Sequence, residues 1–304
     1  MPNVQAILQH SKQLETALHL DSGSARIEVQ CLLQAVLQVN RAWLLTHPEF
    51  SLKADQHARY IALFERRLNG EPIAYLLGER EFYGLIFKVT SATLIPRPET
   101  ELLVELAVQR CGRVAAAPPG THRPPPCGGI PQQSALRVLD MGTGSGAIAL
   151  SIAHARPDTE VIAVDSSSAA LEVARLNLKQ LGIGNVRFLQ SDGFSALQGE
   201  RFDMIVSNPP YIAAGDAHLV QGDVRFEPRI ALASGADGLE DIRRIITHAK
   251  FHLHANGWLL LEHGYDQAEQ VRALLQQSGF AGIFSACDLA GIERVSGGHC
   301  LACS

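Results

Sequence analysis

From residue 135 onward the chain alternates short apolar runs with helix-length segments, and this alternation restricts its fold more than any other feature. Residues 136–141, 160–165, 185–190, 202–207 and 257–262 read as strands, with helices over 167–181 and 238–254. Strands that are apolar throughout are buried on both faces, and a parallel neighbour is reached only by a crossover. The pattern therefore predicts an α/β fold with a parallel sheet wrapped by helices on both sides. Phe280–Cys287 and Glu293–Cys300 are also strand-like but have no helix-length segment between them, so they are expected to pair antiparallel.

Residues 1–80 carry a different period. Ile27, Leu32, Leu33, Val36 and Leu37 form one helical stripe and Tyr60, Ile61, Phe64 and Leu68 another, which predicts a small helical domain. Ser51 suits the N-cap of the second run, and Asn69-Gly70 followed by Pro72 stops it. Residues 81–95, with Phe82-Tyr83-Gly84 before an apolar run, predict a hairpin linking this domain to a second one over 96–304. Pro96 to Thr100 reads as a stiff turn into a helix from Glu101 to about Arg110. From Gly112 to Ser134 the composition shifts to Pro, Gly and Ala, so an exposed, poorly ordered insertion is expected.

At 304 residues with 46% hydrophobic content, the chain can bury a large core without covalent staples. Its formal charge of −5 gives no general attraction to phosphate backbones, so no direct nucleic-acid partner is expected. Residues 1–15 lack a signal-peptide pattern, and no run approaches the roughly 18 apolar residues of a membrane span. A cytoplasmic protein with no membrane association is expected. Cys31, Cys111, Cys127, Cys287, Cys300 and Cys303 are too sparse for a disulfide framework. Cys300 and Cys303 beside His299 lack a second ligand pair, so no metal is expected.

Two motifs carry the chemistry. Gly142-Thr143-Gly144-Ser145-Gly146 follows the first strand and opens a helix, the position where an open parallel sheet presents a ligand crevice. Asp165 ends the next strand about twenty residues later, where a carboxylate can accept from both ribose hydroxyls. An adenosine-type cofactor follows, and NAD and S-adenosylmethionine both satisfy that description. Asp192, after the third strand, is placed to accept from an adenine amine, or else to cap a turn.

Asn208-Pro209-Pro210-Tyr211 ends the fourth strand on the same edge. Each proline restricts the residue before it, so the direction of successive carbonyls is nearly set. The Asn208 side-chain oxygen and the Pro209 carbonyl then form two acceptors matched to the two donors of a planar NH2 group, with Tyr211 as a flat wall. Holding both hydrogens directs the nitrogen lone pair at an electrophilic methyl, a task with no counterpart in nicotinamide chemistry.

The chain resembles the class I S-adenosylmethionine-dependent methyltransferases, and within them the bacterial release factor glutamine methyltransferases of the HemK family. The resemblance extends over nearly the whole sequence. Besides the two motifs it rests on Pro72-Ile73-Ala74-Tyr75, Glu81-Phe82-Tyr83, Leu94-Ile95-Pro96-Arg97-Pro98-Glu99-Thr100, Gln221-Gly222-Asp223-Val224-Arg225-Phe226-Glu227-Pro228 and Leu260-Leu261-Glu262-His263-Gly264.

The resemblance implies a Rossmann-like methyltransferase sheet with an antiparallel last strand, preceded by a helical domain that docks a protein substrate. It implies methyl transfer to the glutamine amide in the Gly-Gly-Gln loop of class I peptide chain release factors; separately, a monomer is expected. By position, Gly142, Thr143, Gly144, Ser145 and Gly146 would contact the methionine part of the cofactor, Asp165 its ribose, and Asp192 and Gly193 its adenine. Asn208, Pro209, Pro210 and Tyr211 would hold the glutamine, and Asn208 would touch the cofactor as well. Relatives often carry a bulky aromatic at the position of Gly193, a role that Phe194 is placed to take over. Arg97, Glu99, Arg225 and Glu227 either line the entrance or form structural ion pairs, and the second reading is preferred. Ribosomal protein glutamine methyltransferases and nucleic-acid exocyclic amine methyltransferases are the alternatives.

Overall fold

The structure, a computed structural model, describes residues 1–115 and 135–301. The chain divides into two units, Met1–Glu79 with Val220–Phe226, and Arg80–Leu219 with Glu227–Ser304. Most of the stretch expected to be a poorly ordered insertion, and the terminal Cys303, lie outside the described residues.

The first unit is helical: α1 (Val4–Leu8), α2 (Ser11–Leu18), α3 (Ser22–Leu37), α4 (Arg41–Thr46), α5 (Ala54–Leu68) and α6 (Ile73–Leu77). Asp21 starts α3 by accepting from the Ser24 N–H at 3.0 Å, a side-chain cap for an otherwise unpaired donor. Leu32, Leu33 and Val36 of α3 share one core with Tyr60 and Phe64 of α5, as the two stripes predict. Ile27 departs from the expectation and is exposed. Ser51 is not the N-cap of α5; it bridges to Asn3 in extended backbone, and the helix starts after Lys53, whose N–H donates to Gln56 Oε1 at 2.9 Å.

Arg67 is the largest fully buried side chain of this unit. Its guanidinium donates to both Glu28 oxygens at 2.7 and 3.1 Å and to Asp223 Oδ1 at 3.0 Å. A third acceptor is the Glu71 carbonyl at 3.1 Å. One fork thus fastens 220–226, far along the sequence, to α3 and α5, and Arg225 adds a bond to the Asn69 carbonyl at 2.7 Å.

The second unit begins with a hairpin, β1 (Glu79–Phe82) and β2 (Leu85–Lys88). Its two-residue turn has positive φ at both Tyr83 and Gly84, the backbone that matches strand twist. The hairpin, expected as a linker, clusters with this unit, while 220–226 clusters with the first. A 3-10 turn over Pro98–Thr100 leads into α7 (Glu101–Ala115), which runs beyond the expected end near Arg110.

There follow β3 (Leu136–Met141), α8 (Ala147–Ala155), β4 (Thr159–Asp165), α9 (Ser168–Leu181), β5 (Val186–Gln190), β6 (Phe202–Ser207), α10 (Glu240–Ala249), β7 (Leu253–Glu262), α11 (Ala268–Gln277), β8 (Phe280–Cys287) and β9 (Glu293–Cys300). The helix expected over 238–254 is shorter, because Lys250 to His252 turn and β7 begins early, with a register shift against β6 that absorbs the extra residues.

The seven strands lie in the order β5-β4-β3-β6-β7-β9-β8. β9 pairs antiparallel with both its neighbours, and the other ladders are parallel. Alternate residues feed opposite cores, which is why the strands read as continuous apolar runs. Val138, Val161 and Val206 join Leu103, Leu150 and Ile152 on one face. Leu139, Ile162 and Ile205 join Ile242, Ile246, Val271 and Leu275 on the other. With β4 on one side of β3 and β6 on the other, the strand order reverses at β3, where a crevice opens at the carboxyl edge.

Removing one partner of a buried charge network is costly, about 3 kcal/mol at the lower end because Asp223 keeps solvent access. Arg67→Ala is expected to lower stability by that amount in urea unfolding. An effect below about 1 kcal/mol would show that the network is worth no more than surface pairs.

Candidate active site

The glycine loop leaves β3 in a conformation that only its residues can hold. Gly142 and Gly144 have φ of 73° and 56°, and a Cβ at either would meet nothing within 4 Å. Their freedom serves the backbone turn and leaves an open face over the sheet edge. The Gly142 and Thr143 N–H groups both donate to the Val164 carbonyl at 2.9 Å, and Gly146 leads into α8.

Asp165 completes this cradle. Its Oδ2 accepts from the Gly144 N–H and its Oδ1 from the Ser167 N–H, each at 2.9 Å. Each oxygen retains acceptor capacity for a further donor. Thr143 and Ser145, in contrast, are buried, and the Thr143 hydroxyl turns inward to donate to Asp140 Oδ2 at 2.6 Å. Their contribution toward a ligand is therefore through backbone.

Two residues outside the glycine run itself support the loop. Asp140 is fully buried, and burial pushes its carboxyl up to about 7 against the bonds from Thr143 and the Ala149 N–H; its Oδ1 has no partner among the described residues. Asn177 of α9, also buried, accepts from the Lys88 N–H at 2.7 Å and donates to the Lys88 carbonyl at 3.0 Å and the Ser145 carbonyl at 2.9 Å. It ties β2 to the glycine loop. The available signal was an amide on the apolar stripe of a helix.

Register brings the second motif alongside the first. Ser207 pairs with Met141 and its Oγ donates to the Met141 carbonyl at 2.7 Å, so Asn208 emerges beside Gly142. Asn208 Nδ2 donates to Thr100 Oγ1 at 3.2 Å. Its Oδ1 makes no bond among the described residues, and Pro209 beside it is buried. Pro210 and Tyr211 are half-buried, and the Tyr211 carbonyl accepts from Gln267 Nε2 at 3.0 Å. Gly238 is required here because a Cβ would lie 2.2 Å from that carbonyl. Burial pushes the Tyr211 hydroxyl well above the usual phenol range, so it stays protonated, and nearby Glu262 adds to this.

Beyond β5, Asp192 is exposed and paired with Arg244 Nη2 at 2.7 Å. That guanidinium also lies 3.2 Å from where a Gly193 Cβ would stand. Phe194 is half-buried, stacks on His252 at 4.6 Å and packs on the core. Arg97 and Glu227 form an ion pair in which Glu227 Oε2 also accepts from the Ile95 N–H at 2.9 Å. Arg225 turns instead to backbone, and Glu99 is exposed.

An open glycine cradle, a carboxylate with spare acceptors and an exposed Asp192 fit a nucleoside cofactor such as S-adenosylmethionine.

Asn177→Ala leaves buried backbone groups unpaired, at about 1–3 kcal/mol. It is expected to lower stability by that much and to weaken cofactor binding several-fold in calorimetry; unchanged affinity would show the loop holds itself. Burial also pushes the Glu262 carboxyl up to about 7, with the nearby Arg294 charge acting the other way. The folded chain then keeps a proton that the unfolded chain loses above the usual carboxylate range, so this contribution to stability is lost as pH rises to about 7. Between about pH 5 and about pH 8, urea titrations are expected to shift in favour of Glu262→Gln relative to the unaltered protein. A pH-independent difference would contradict this.

Comparison with known proteins agrees with this geometry. Residues 5–78 match the PrmC N-terminal domain family and residues 129–224 the methyltransferase small domain family. A release factor glutamine methyltransferase of Burkholderia pseudomallei is 50% identical over 94% of this chain and 95% of that protein. Its counterpart in Xylella fastidiosa is 46% identical over 90% of this chain and 93% of that protein. Among solved structures, the hMettl16 catalytic domain in complex with a 3′UTR hairpin aligns with a TM-score of 0.52 at 14% identity, covering 82% of this chain and 83% of that one, which shows a shared fold. The chain belongs to the release factor glutamine methyltransferase family.

Proposed function

We propose that this protein transfers a methyl group from S-adenosylmethionine to the side-chain amide nitrogen of the glutamine in the Gly-Gly-Gln loop of class I peptide chain release factors. The observation that carries the reading is the state of Asn208. Its NH2 is engaged by Thr100 while its oxygen is left unbonded beside Pro209 at the mouth of the glycine cradle. Two oxygens in that position accept from both hydrogens of a carboxamide.

Bound S-adenosylmethionine supplies an electrophilic methyl on a sulfonium. The glycine backbone and Asp165 hold the cofactor. Asn208 and Pro209 orient the amide so that its lone pair faces the methyl, and Tyr211 walls the pocket. The amide nitrogen becomes acidic as its new bond forms, so its proton leaves late and no strong base is needed. The acceleration comes from positioning and fixed dipoles.

The helical unit serves to dock the release factor. No helix among the described residues is long and apolar enough to cross a membrane, and a cytoplasmic location fits a partner that acts in translation.

Labelled S-adenosylmethionine incubated with a class I release factor, its Gly-Gly-Gln glutamine-to-alanine variant, a ribosomal protein and duplex DNA locates the methyl. Label is expected on the unaltered release factor alone; label only on DNA or the ribosomal protein would overturn the assignment. Asn208→Ala is expected to cut turnover by roughly 10²-fold with cofactor affinity preserved. Asp165→Ala is expected to weaken cofactor binding in calorimetry, and intact affinity there would remove Asp165 from the site.

A further inference from the structure

We infer that Gln267 is a positioning residue for the methyl transfer, fixing the far end of Asn208-Pro209-Pro210-Tyr211 so that the Asn208 and Pro209 oxygens converge on the substrate amide. The inference rests on those two oxygens holding the glutamine, as proposed above. Gln267 Nε2 donates to the Tyr211 carbonyl at 3.0 Å, and its Oε1 accepts from the Gly264 N–H at 2.8 Å. A backbone carbonyl can only accept and a backbone N–H can only donate, so the partners dictate which end of the carboxamide lies where. No change of protonation reverses either bond.

Sequence position and packing both single this side chain out. Gln267 is the N-cap of α11, where a short polar residue would pair with the first N–H groups of the helix, yet its side chain makes no capping bond. It reaches instead to a residue 56 positions away. The side chain is buried, and a glycine stands at each end of its carboxamide. A Cβ on Gly238 would lie 2.2 Å from the Tyr211 carbonyl oxygen and 2.9 Å from Gln267 Nε2, and one on Gly264 would lie 3.0 Å from Oε1. Gly264 is a firm base, because its carbonyl accepts from the Gln267 N–H at 3.1 Å and from the buried His263 Nδ1 at 2.9 Å.

The need for such an anchor follows from the prolines. Ser207 is the last residue of β6, and Pro209 and Pro210 have no N–H with which to fasten the chain. The Tyr211 carbonyl is the next point that is held. With Ser207 bonded to Met141 at one end and Tyr211 to Gln267 at the other, the Pro209 carbonyl between them keeps one direction. The acceptor pair is then organised before the substrate arrives, which is the condition under which fixed dipoles lower a barrier.

The test uses the full chain with S-adenosylmethionine and a class I release factor. Gln267→Met, which keeps the length and loses both bonds, is expected to lower kcat about 10-fold, with KM and calorimetric cofactor affinity within about twofold of the unaltered protein. In an Asn208→Ala background the same change is expected to cost about threefold or less, because one of the two acceptors it positions is already gone. Gln267→Glu separates the bond from the packing. Its carboxyl, pushed up by burial, donates to the Tyr211 carbonyl while protonated and repels it once ionised. Relative to the unaltered protein, its kcat is therefore expected to fall about fivefold or more between about pH 6 and about pH 9, while the ratio for Gln267→Met stays flat. Circular dichroism confirms the fold at each pH. Glu262, Arg294, Arg97 and Glu99 act on Tyr211, and His263 and Asp266 flank Gly264; both variants retain these groups, so their titration cancels in the comparison. Full kcat in Gln267→Met, a loss that multiplies undiminished with Asn208→Ala, or a flat ratio for Gln267→Glu overturns the inference. If Asn208→Ala itself leaves kcat unchanged, it is the proposed function that fails. Should one of the two Gln267 variants fail to fold, the other decides alone.

Discussion

The pairing of β3 with β6 is the constraint on which the candidate site depends. Parallel register places Met141 opposite Ser207, and the Ser207 hydroxyl fastens the two strands where both end. A slip of one residue would send every side chain of β6 to the opposite face. It would also part the glycine loop from Asn208. Because Val138, Leu139, Ile205 and Val206 are all fully buried, the cores on both faces hold the register that the chemistry requires.

Much of this was legible in the sequence. Apolar runs of strand length and helices of crossover length specify a doubly covered sheet, and the glycines and prolines mark where the chain must turn. The antiparallel return of β9 followed from the short connection before it. The errors fall where local signals compete with partners distant in sequence. Ser51 has the chemistry of a cap but is drawn into pairing with Asn3, and helix α10 yields its last turn to an early start of β7.

The residues that escaped the sequence reading are of one kind: buried polar side chains that hold another group in place. Asn177 bridges two backbones, Gln267 holds the Tyr211 carbonyl, and Thr100 meets Asn208. Their sequence surroundings gave no sign of these roles, because the partners each satisfies come from elsewhere in the chain. Their cost in desolvation is offset only where every donor finds its acceptor. Glu262 Oε2 and Asp140 Oδ1, without a partner among the described residues, mark where the fold accepts that cost beside the crevice.

The membership of residues 220–226 in the helical unit bears on how the chain can be dissected. A fragment starting at residue 80 would retain Asp223 and Arg225 while discarding Arg67 and Asn69, to which they are bonded. The catalytic half is therefore not separable by a single cut. Shuffling of this helical unit between relatives, in the laboratory or over evolutionary time, has to exchange two stretches of chain together.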